Sequence, residues 1–234
     1  MDFDLVIVHD ELTPCPYLDG IDARMPLEYP RGGISPAAFD RLLESGYRRS
    51  GIFVYYPQCP NCNECVPTRV DVQNFSLSKS MRRVIKRGDR EFQTCWNVPT
   101  ADRKRAELYN RHRNQRDLAT DDSDVSVETY HSFLASSCTE TLELSLVMAG
   151  RLVGISIMDV GESSVSAVYT LFDESAAKYS PGTFAVLKQI EWAAENQRRH
   201  VYLGLYVRDN VHLNYKARFK PQQRLQGGTW QDIT

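Results

Sequence analysis

Residues 142–207 read LELSLVMAGRLVGISIMDVGESSVSAVYTLFDESAAKYSPGTFAVLKQIEWAAENQRRHVYLGLYV. Leu142–Ala149 and Leu152–Val160 are two apolar-rich runs hinged at Gly150, the pattern of adjacent strands closed by a tight turn. A Gly161–Ser163 turn leads into a third run, Val165–Phe172. Ser180-Pro181-Gly182-Thr183 then opens a helix running to about Arg199. Ser180 stands where it can cap that helix, and Pro181 takes the first helical position, where no N–H is needed. His200–Val207 follows at once as a last strand. Hairpin, strand, long helix, strand is an α+β order around a mostly antiparallel sheet.

Upstream, residues 1–47 read as irregular and proline-rich, with one short helix near Pro36–Glu44 whose Phe39, Leu42 and Leu43 form an apolar face. Ile52–Tyr56 reads as a strand, a Cys/Pro run must be a loop, and Val66–Val72 alternates as another strand. Ser78 can cap a helix ending at Arg87, with Gly88 just past it. On that helix Lys79, Arg83 and Lys86 share a face with Arg82 and Arg87 beside them, opposite Met81, Val84 and Ile85. Such a face suits a phosphate backbone. A second helix from Thr100 toward Leu118 carries Arg103, Lys104, Arg105, Arg111, Arg113 and Arg116. The chain thus divides into a Cys-containing α/β region, residues 1–98, and a sheet domain, residues 99–234, packed as one unit.

The composition, 42% hydrophobic and 25% charged over 234 residues, excludes disorder. No apolar run approaches the roughly twenty residues that span a bilayer. Asp2, Asp4, Asp10 and Glu11, with no Lys or Arg before residue 20, are the reverse of a signal peptide's basic start, so a cytoplasmic location is expected. The net charge of −2 hides a segregation: residues 48–116 carry 15 Lys and Arg against 6 Asp and Glu, and the remainder 13 against 24. A basic segment inside an acidic chain is a candidate RNA footprint. In a reducing compartment, Cys59, Cys62 and Cys65 at C-x2-C-x2-C spacing point to metal or redox chemistry rather than disulfides. With Cys15 as a fourth thiolate they resemble a zinc-knuckle or iron–sulfur loop; the other reading is reduced thiols packed together. Cys95 and Cys138 stand alone and read as core.

Four motifs in order carry a family resemblance: Cys15-Pro16-Tyr17-Leu18; Tyr47–Arg69 (YRRSGIFVYYPQCPNCNECVPTR) with Ser80-Met81-Arg82-Arg83; Val168–Asp173 (VYTLFD); and Asn214–Pro221 (NYKARFKP). Over nearly its whole length the chain resembles the bacterial aminoacyl-tRNA–protein transferases, specifically the aspartate/glutamate leucyltransferases related to eukaryotic arginyltransferases. The resemblance implies transfer of leucine from leucyl-tRNA to the α-amine of proteins beginning with Asp or Glu, in the N-degron pathway of protein degradation. It also implies cytoplasmic location and an N-acyltransferase-like (GNAT-like) catalytic half, whose splayed sheet receives the acyl donor. Iron–sulfur binding is discussed for relatives. Relatives often carry Tyr where Phe172 stands here.

An aminoacyl ester is already activated, so transfer requires no ATP and no cofactor. The tasks are to hold the tRNA end, bind the acidic N-terminus, supply a neutral amine and stabilise the oxyanion. A peptide α-amine has a pKa near 8, so roughly a tenth is neutral at pH 7. For the acceptor's carboxylate the forked cations Arg48 and Arg49 lead, with Lys216 and Arg218 next. On a strand Arg48 and Arg49 face opposite ways, so at most one enters a pocket and the other meets tRNA or a structural carboxylate. Asp173 would anchor the α-ammonium and take its proton. Tyr169 and Tyr215 would bond the ester or stack on the terminal adenosine. Tyr169, Asp173, Tyr215 and Lys216 are therefore the catalytic candidates, and Lys79, Arg82, Arg83, Lys86 and Arg87 the tRNA contacts. Three other functions stay open: arginyl transfer from Arg-tRNA, a non-catalytic RNA-binding protein with a metal knuckle, and a small-molecule acyl-CoA transferase. Against the last, no glycine-rich pyrophosphate loop precedes the 180–199 helix.

Overall fold

The computed structural model describes residues 4–118 and 123–233. The stretch expected to be irregular holds four strands: β1 (Asp4–His9), β2 (Leu12–Pro14), β3 (Asp22–Arg24) and β4 (Leu27–Arg31). Helix α1 (Pro36–Glu44) follows with the expected bounds, Ser35 Oγ accepting from Ala38 N. β1 and β2 are mostly exposed, so they lack the alternation that marks a half-buried strand. Pro30 lies opposite Leu5 of β1; on its other side the next strand pairs only with Leu27 and Glu28, so a missing N–H on that side breaks no ladder bond.

Next come β5 (Arg48–Ser50), β6 (Phe53–Tyr55), β7 (Val66–Asp71), α2 (Lys79–Glu91), β8 (Gln93–Asn97) and α3 (Arg103–Gln115). A single turn, α4 (Val127–Tyr130), leads to β9 (Glu140–Met148), β10 (Arg151–Val160), β11 (Ser164–Phe172), α5 (Pro181–Glu195) and β12 (His200–Tyr206). The hairpin β13 (Gln222–Gln226) and β14 (Thr229–Ile233), missed in the sequence, turns at Gly227 and Gly228, both with positive φ. A Gly-Gly pair is a hairpin signal in its own right.

Strands β1-β4-β6-β5 make a small sheet, and β14-β13-β7-β12-β11-β10-β9-β8 a large one. The large sheet includes β7 and β8 from the first 98 residues, so the expected boundary at 98/99 does not separate its strands from the N-terminal region. Adjacent Ile157 and Met158 on β10 belong to different cores, as the alternation of a strand requires. Met158 packs with Val186, Leu187 and Ile190 of α5 and with Met81 of α2. Ile157 packs with Leu108 and Tyr109 of α3 and with Tyr130 and Leu134. Phe39, Leu42 and Leu43 of α1 and Val54 of β6 cover Tyr202 of β12.

Every strand pair in the large sheet is antiparallel except β11 with β12, whose parallel ladder covers only Ser164–Ser166 against His200–Tyr202. Beyond it the two strands part. Each bulges at that point: Val168 is an extra residue opposite Ile157–Met158, and Leu203 is extra opposite Thr68–Arg69. Bulges bend the strand that carries them, and here they open a split in the middle of the sheet.

Two capping expectations are corrected. Ser180 stands at the start of α5 with a left-handed φ of 57°, and its side chain makes no capping bond. Gly88 does not end α2, which runs on to Glu91; it is buried where α2 crosses α5. A Cβ at Gly88 would come within 2.3 Å of the Phe184 ring, so glycine permits the helix crossing. Gly88→Ala is therefore expected to lose about 1–3 kcal/mol of stability by overpacking, read as a lower urea midpoint at unchanged slope. Phe184→Leu in the same chain should recover part of that loss.

Candidate active site in the split between β11 and β12

Arg48 leaves β5 and enters the split. Its Nη1 donates to Ser166 Oγ at 2.9 Å and its Nη2 to the Ala167 carbonyl at 2.6 Å, at the point where β11 loses its partner. Across from it, Gly204 of β12 has φ +93°, and a Cβ there would stand 3.2 Å from Nη2. The guanidinium fills the space that a side chain at 204 would need. Arg48 is buried, and among the described residues no carboxylate forms an ion pair with it. Desolvation lowers its pKa; neighbouring Tyr55, Asp159 and Tyr17 partly offset this.

Lys216, on the turn Asn214–Arg218, is only 5% exposed and lies within electrostatic reach of Arg48. Its carbonyl accepts from Gln222 Nε2 at 2.9 Å, and its Nζ lies 5.1 Å from the Tyr215 ring centre. No described carboxylate pairs with it either. Burial, reinforced by the Arg48 charge, lowers the amine to about 7. The phenols around these two cations, Tyr17, Tyr55 and Tyr215, are all raised by burial and so stay protonated donors. Around Arg48 there are thus a second buried cation, the Ser166 hydroxyl and three phenols, and no ion-paired anion among the described residues.

Farther along β11, Tyr169 packs against Tyr109 and Phe133 with ring centres 5.7 and 6.0 Å away. Phe172 contributes no hydroxyl; its ring meets His112 at 4.9 Å, and Arg116 lies over it. His112 Nδ1 sits within hydrogen-bond reach of the Phe172 backbone, and burial lowers the imidazole to about 4, leaving it neutral. Asp173 accepts from Ser175 N and Oγ and pairs with Arg111 at 3.1 Å. Those contacts, Ser175 foremost, hold its carboxyl below the usual range.

The chain matches the sequence family described as arginine-tRNA-protein transferase, C terminus, over residues 104–226, and the corresponding N terminus over residues 13–83. It is 36% identical over 222 residues to the aspartate/glutamate leucyltransferase of Marinobacter nauticus, covering 94% of this chain and 92% of that one. The chain belongs to the aminoacyl-tRNA–protein transferases, on the aspartate/glutamate leucyltransferase branch. The Acinetobacter baumannii enzyme of the same name is 33% identical over 225 residues, 95% of this chain and 83% of that one. Among solved structures, the C-terminal domain of an Agrobacterium fabrum protein described as a lysylphosphatidylglycerol synthetase superposes with a TM-score of 0.51 at 14% identity. It covers 86% of this chain, which spans 64% of that one. That likeness is one of fold, the acyltransferase-like sheet implied by the family resemblance.

In this transferase Arg48 and Arg49 do face opposite ways. Arg49 Nε reaches both oxygens of Asp159 on β10 at 2.9 and 2.8 Å, and Nη1 donates to the carbonyls of Ser136 and Gly51. Thr141 Oγ1 completes the carboxylate's shell at 2.8 Å. Arg49 is thus a structural clamp, which corrects its assignment to the acceptor site. Asp173 is corrected likewise: a carboxyl held low by Arg111 and Ser175 is a poor base for an ammonium. Arg218 is exposed and outside the buried cluster. Lys79, Arg82, Arg83, Lys86 and Arg87 are all exposed on α2 as expected. The arginines of α3 are mostly committed: Arg105 to Glu143 and Asp102, Arg111 to Asp173, Arg113 buried over Tyr109.

Cys15, Cys59, Cys62 and Cys65 are free and half-buried, and the other three cysteines add to burial in raising the Cys65 thiol to about 12. They share one neighbourhood. Even so, among the described residues no group of three or more Cys, His, Asp or Glu is placed to hold a metal ion. The donor types suit zinc or an iron–sulfur cluster but the arrangement does not, and no step below is routed through a metal. Tyr17, Tyr55, His112 and Gly204 went unnoticed as site residues, although Tyr17 and Tyr55 lie within the quoted motifs.

The Arg49–Asp159 pair, with side chains 1% and 0% exposed, makes a separable prediction. Arg49→Met should cost about 3–5 kcal/mol by stranding a buried carboxylate. Arg49→Met with Asp159→Leu should recover most of it in urea melts, with the KM for acidic peptides unchanged in the folded protein.

Proposed function

We propose that this transferase moves leucine from leucyl-tRNA to the α-amine of proteins whose first residue is Asp or Glu, marking them for degradation in the cytoplasm. One observation carries the reading: Arg48 lies buried in the split of an acyltransferase-like sheet, within electrostatic reach of buried Lys216, and among the described residues neither cation forms an ion pair. A buried charge without a partner is costly unless a ligand neutralises it. The acidic side chain of the acceptor is an anion of the right sign and size, and a guanidinium can grip it in a fork. An uncharged N-terminal residue would leave both cations unpaired, which is how a site rejects an isostere.

The acceptor's carboxylate docks at Arg48, and its α-amine is thereby held in the split against the aminoacyl ester. The amine attacks the ester carbonyl carbon. Tyr215, Tyr17 and Tyr55, protonated phenols within electrostatic reach of Arg48, are candidate donors to the oxyanion. The aromatic wall of Tyr109, Phe133 and Tyr169 offers an apolar surface that suits a leucyl side chain. Arginyl transfer would call for a free carboxylate, and Asp173 at the end of β11 is already paired with Arg111. The exposed basic face of α2 would track the tRNA backbone, contributing affinity rather than sequence choice.

Transfer assays with radiolabelled Leu-tRNA and Arg-tRNA, and peptides beginning Asp, Glu or Ala, test the reading. Labelling of Asp and Glu peptides from Leu-tRNA alone is expected; labelling from Arg-tRNA alone would replace leucine with arginine as the cargo, and none from either would sink the assignment. Replacing Arg82, Arg83 and Lys86 together with Gln should weaken tRNA binding and lower the log–log salt slope by about 1 for each phosphate left without its cation. The melting temperature should not change.

A further inference from the structure

Resting on the leucyl-transfer reading above, we propose that Arg116 and Arg224 grip the backbone phosphates of the donor's single-stranded 3′ end at the mouth of the split. Each of the two parting strands ends on an aromatic residue, Phe172 on β11 and Tyr206 on β12, and an arginine lies over each ring. The Arg116 guanidinium carbon is 5.5 Å from the Phe172 ring centre, and that of Arg224 is 3.7 Å from the Tyr206 ring centre. The two arginines come from distant elements, Arg116 from the end of α3 and Arg224 from β13. Arg116 is also joined across the mouth: its Nη2 lies 3.4 Å from Nδ1 of His212, on the loop that follows β12. Tyr215 feels the charges of both Arg116 and Arg48, so the mouth and the acceptor site lie within electrostatic reach of one phenol.

Among the described residues no carboxylate forms an ion pair with either arginine. Arg224 Nε donates to Gln222 Oε1 at 3.1 Å, and Asp117 acts on His212 without pairing with Arg116. A guanidinium stacked on a ring keeps an edge of N–H donors free, and that fork matches a phosphate. The rings themselves offer faces on which a base can stack. Tyr206 stands two residues beyond Gly204, roughly 7 Å of strand, so a phosphate gripped at this lip keeps its ester close to Arg48. The other lip leads outward. Beyond Phe172 comes the turn Glu174–Tyr179, where Lys178 Nζ lies 5.0 Å from the Tyr179 ring centre and Arg87 of α2 donates to the Lys178 carbonyl at 3.1 Å. Cations therefore continue from the mouth to the exposed basic face of α2, a path that suits an entering RNA strand. A single acidic side chain needs one fork; two forks on opposite lips fit a chain of phosphates.

The test is transfer to an Asp-initial peptide from three radiolabelled donors: Leu-tRNA, a leucyl-CCA trinucleotide, and leucyl-adenosine, which carries no phosphate. The chains compared are wild type, Arg116→Gln, Arg224→Gln and the two Lys counterparts. Each Gln replacement should raise KM for Leu-tRNA and the trinucleotide about tenfold, the loss of one charge-assisted contact, while the peptide KM changes little. Each should also lower the log–log salt slope by about 0.7, the share of one phosphate on a single strand. With leucyl-adenosine the gap between wild type and variants should close. The Lys variants keep the charge but not the fork, so they should keep the slope and lose a few-fold in donor KM. Circular dichroism melts check folding; where a Gln variant does not fold, its Lys counterpart decides. A raised peptide KM with unchanged donor KM would assign the arginines to the acceptor, and equal losses with all three donors would assign them to structure. Unchanged KM for both substrates would leave them no role in binding. Each of these outcomes overturns the proposal and leaves leucyl transfer intact, whereas no labelling from Leu-tRNA by the wild-type chain overturns both.

Discussion

Two parallel strands that part company leave backbone groups without partners, and a buried carbonyl with no donor costs free energy. The structure meets this at Ala167, whose carbonyl receives the Arg48 guanidinium just past the last β11–β12 pair. That contact lets the sheet open without being hydrated through its middle. It also delivers a positive charge to the opening, so one interaction serves both the fold and the site. The small N-terminal sheet matters because it carries Arg48, and the Arg49–Asp159 pair one residue on fixes that sheet to β10.

The neighbouring arginines show how alternation sorts identical residue types into different roles. Arg49 meets a fully buried carboxylate with Thr141 completing its shell, so its charge is balanced within the chain. Among the described residues Arg48 bonds a hydroxyl and a carbonyl and pairs with no carboxylate, so its charge is left over. Lys216, brought in from the far end of the sequence, adds a second unbalanced cation. Most globular interiors avoid such a pair, because desolvation without a partner outweighs any packing gain. On the reading proposed above, the acceptor's carboxylate is the anion that balances it.

Much of this was legible in the residues. The hairpin β9–β10, strand β11, helix α5 and strand β12 follow from apolar runs and glycine turns, and their order points to an α+β fold with a mostly antiparallel sheet; its acyltransferase-like character is implied by the family motifs. The opposite facing of Arg48 and Arg49 follows from strand geometry alone. The resemblance implied a splayed sheet, but its position between β11 and β12 was not visible, because a bulge depends on the partner strand and leaves no local composition signal. For the same reason the sequence could not say which arginine would find Asp159. Gly88 looked like a helix end because glycine commonly is one; only the crossing with Phe184 reveals the packing role. Asp173 looked like a base because its neighbour Arg111 lies 62 positions away in sequence.

Gly204 has a consequence for how such a site can change. A side chain at 204 and an arginine at 48 claim the same volume, 3.2 Å being too close for both without a shift. The two positions are coupled. Enlarging 204 strains a backbone at φ +93° and asks the guanidinium to give by a few tenths of an ångström, and shortening 48 strips Ala167 of its donor. A change at either residue is therefore felt at the other, so what looks like a free glycine on a strand is half of a two-residue fitting.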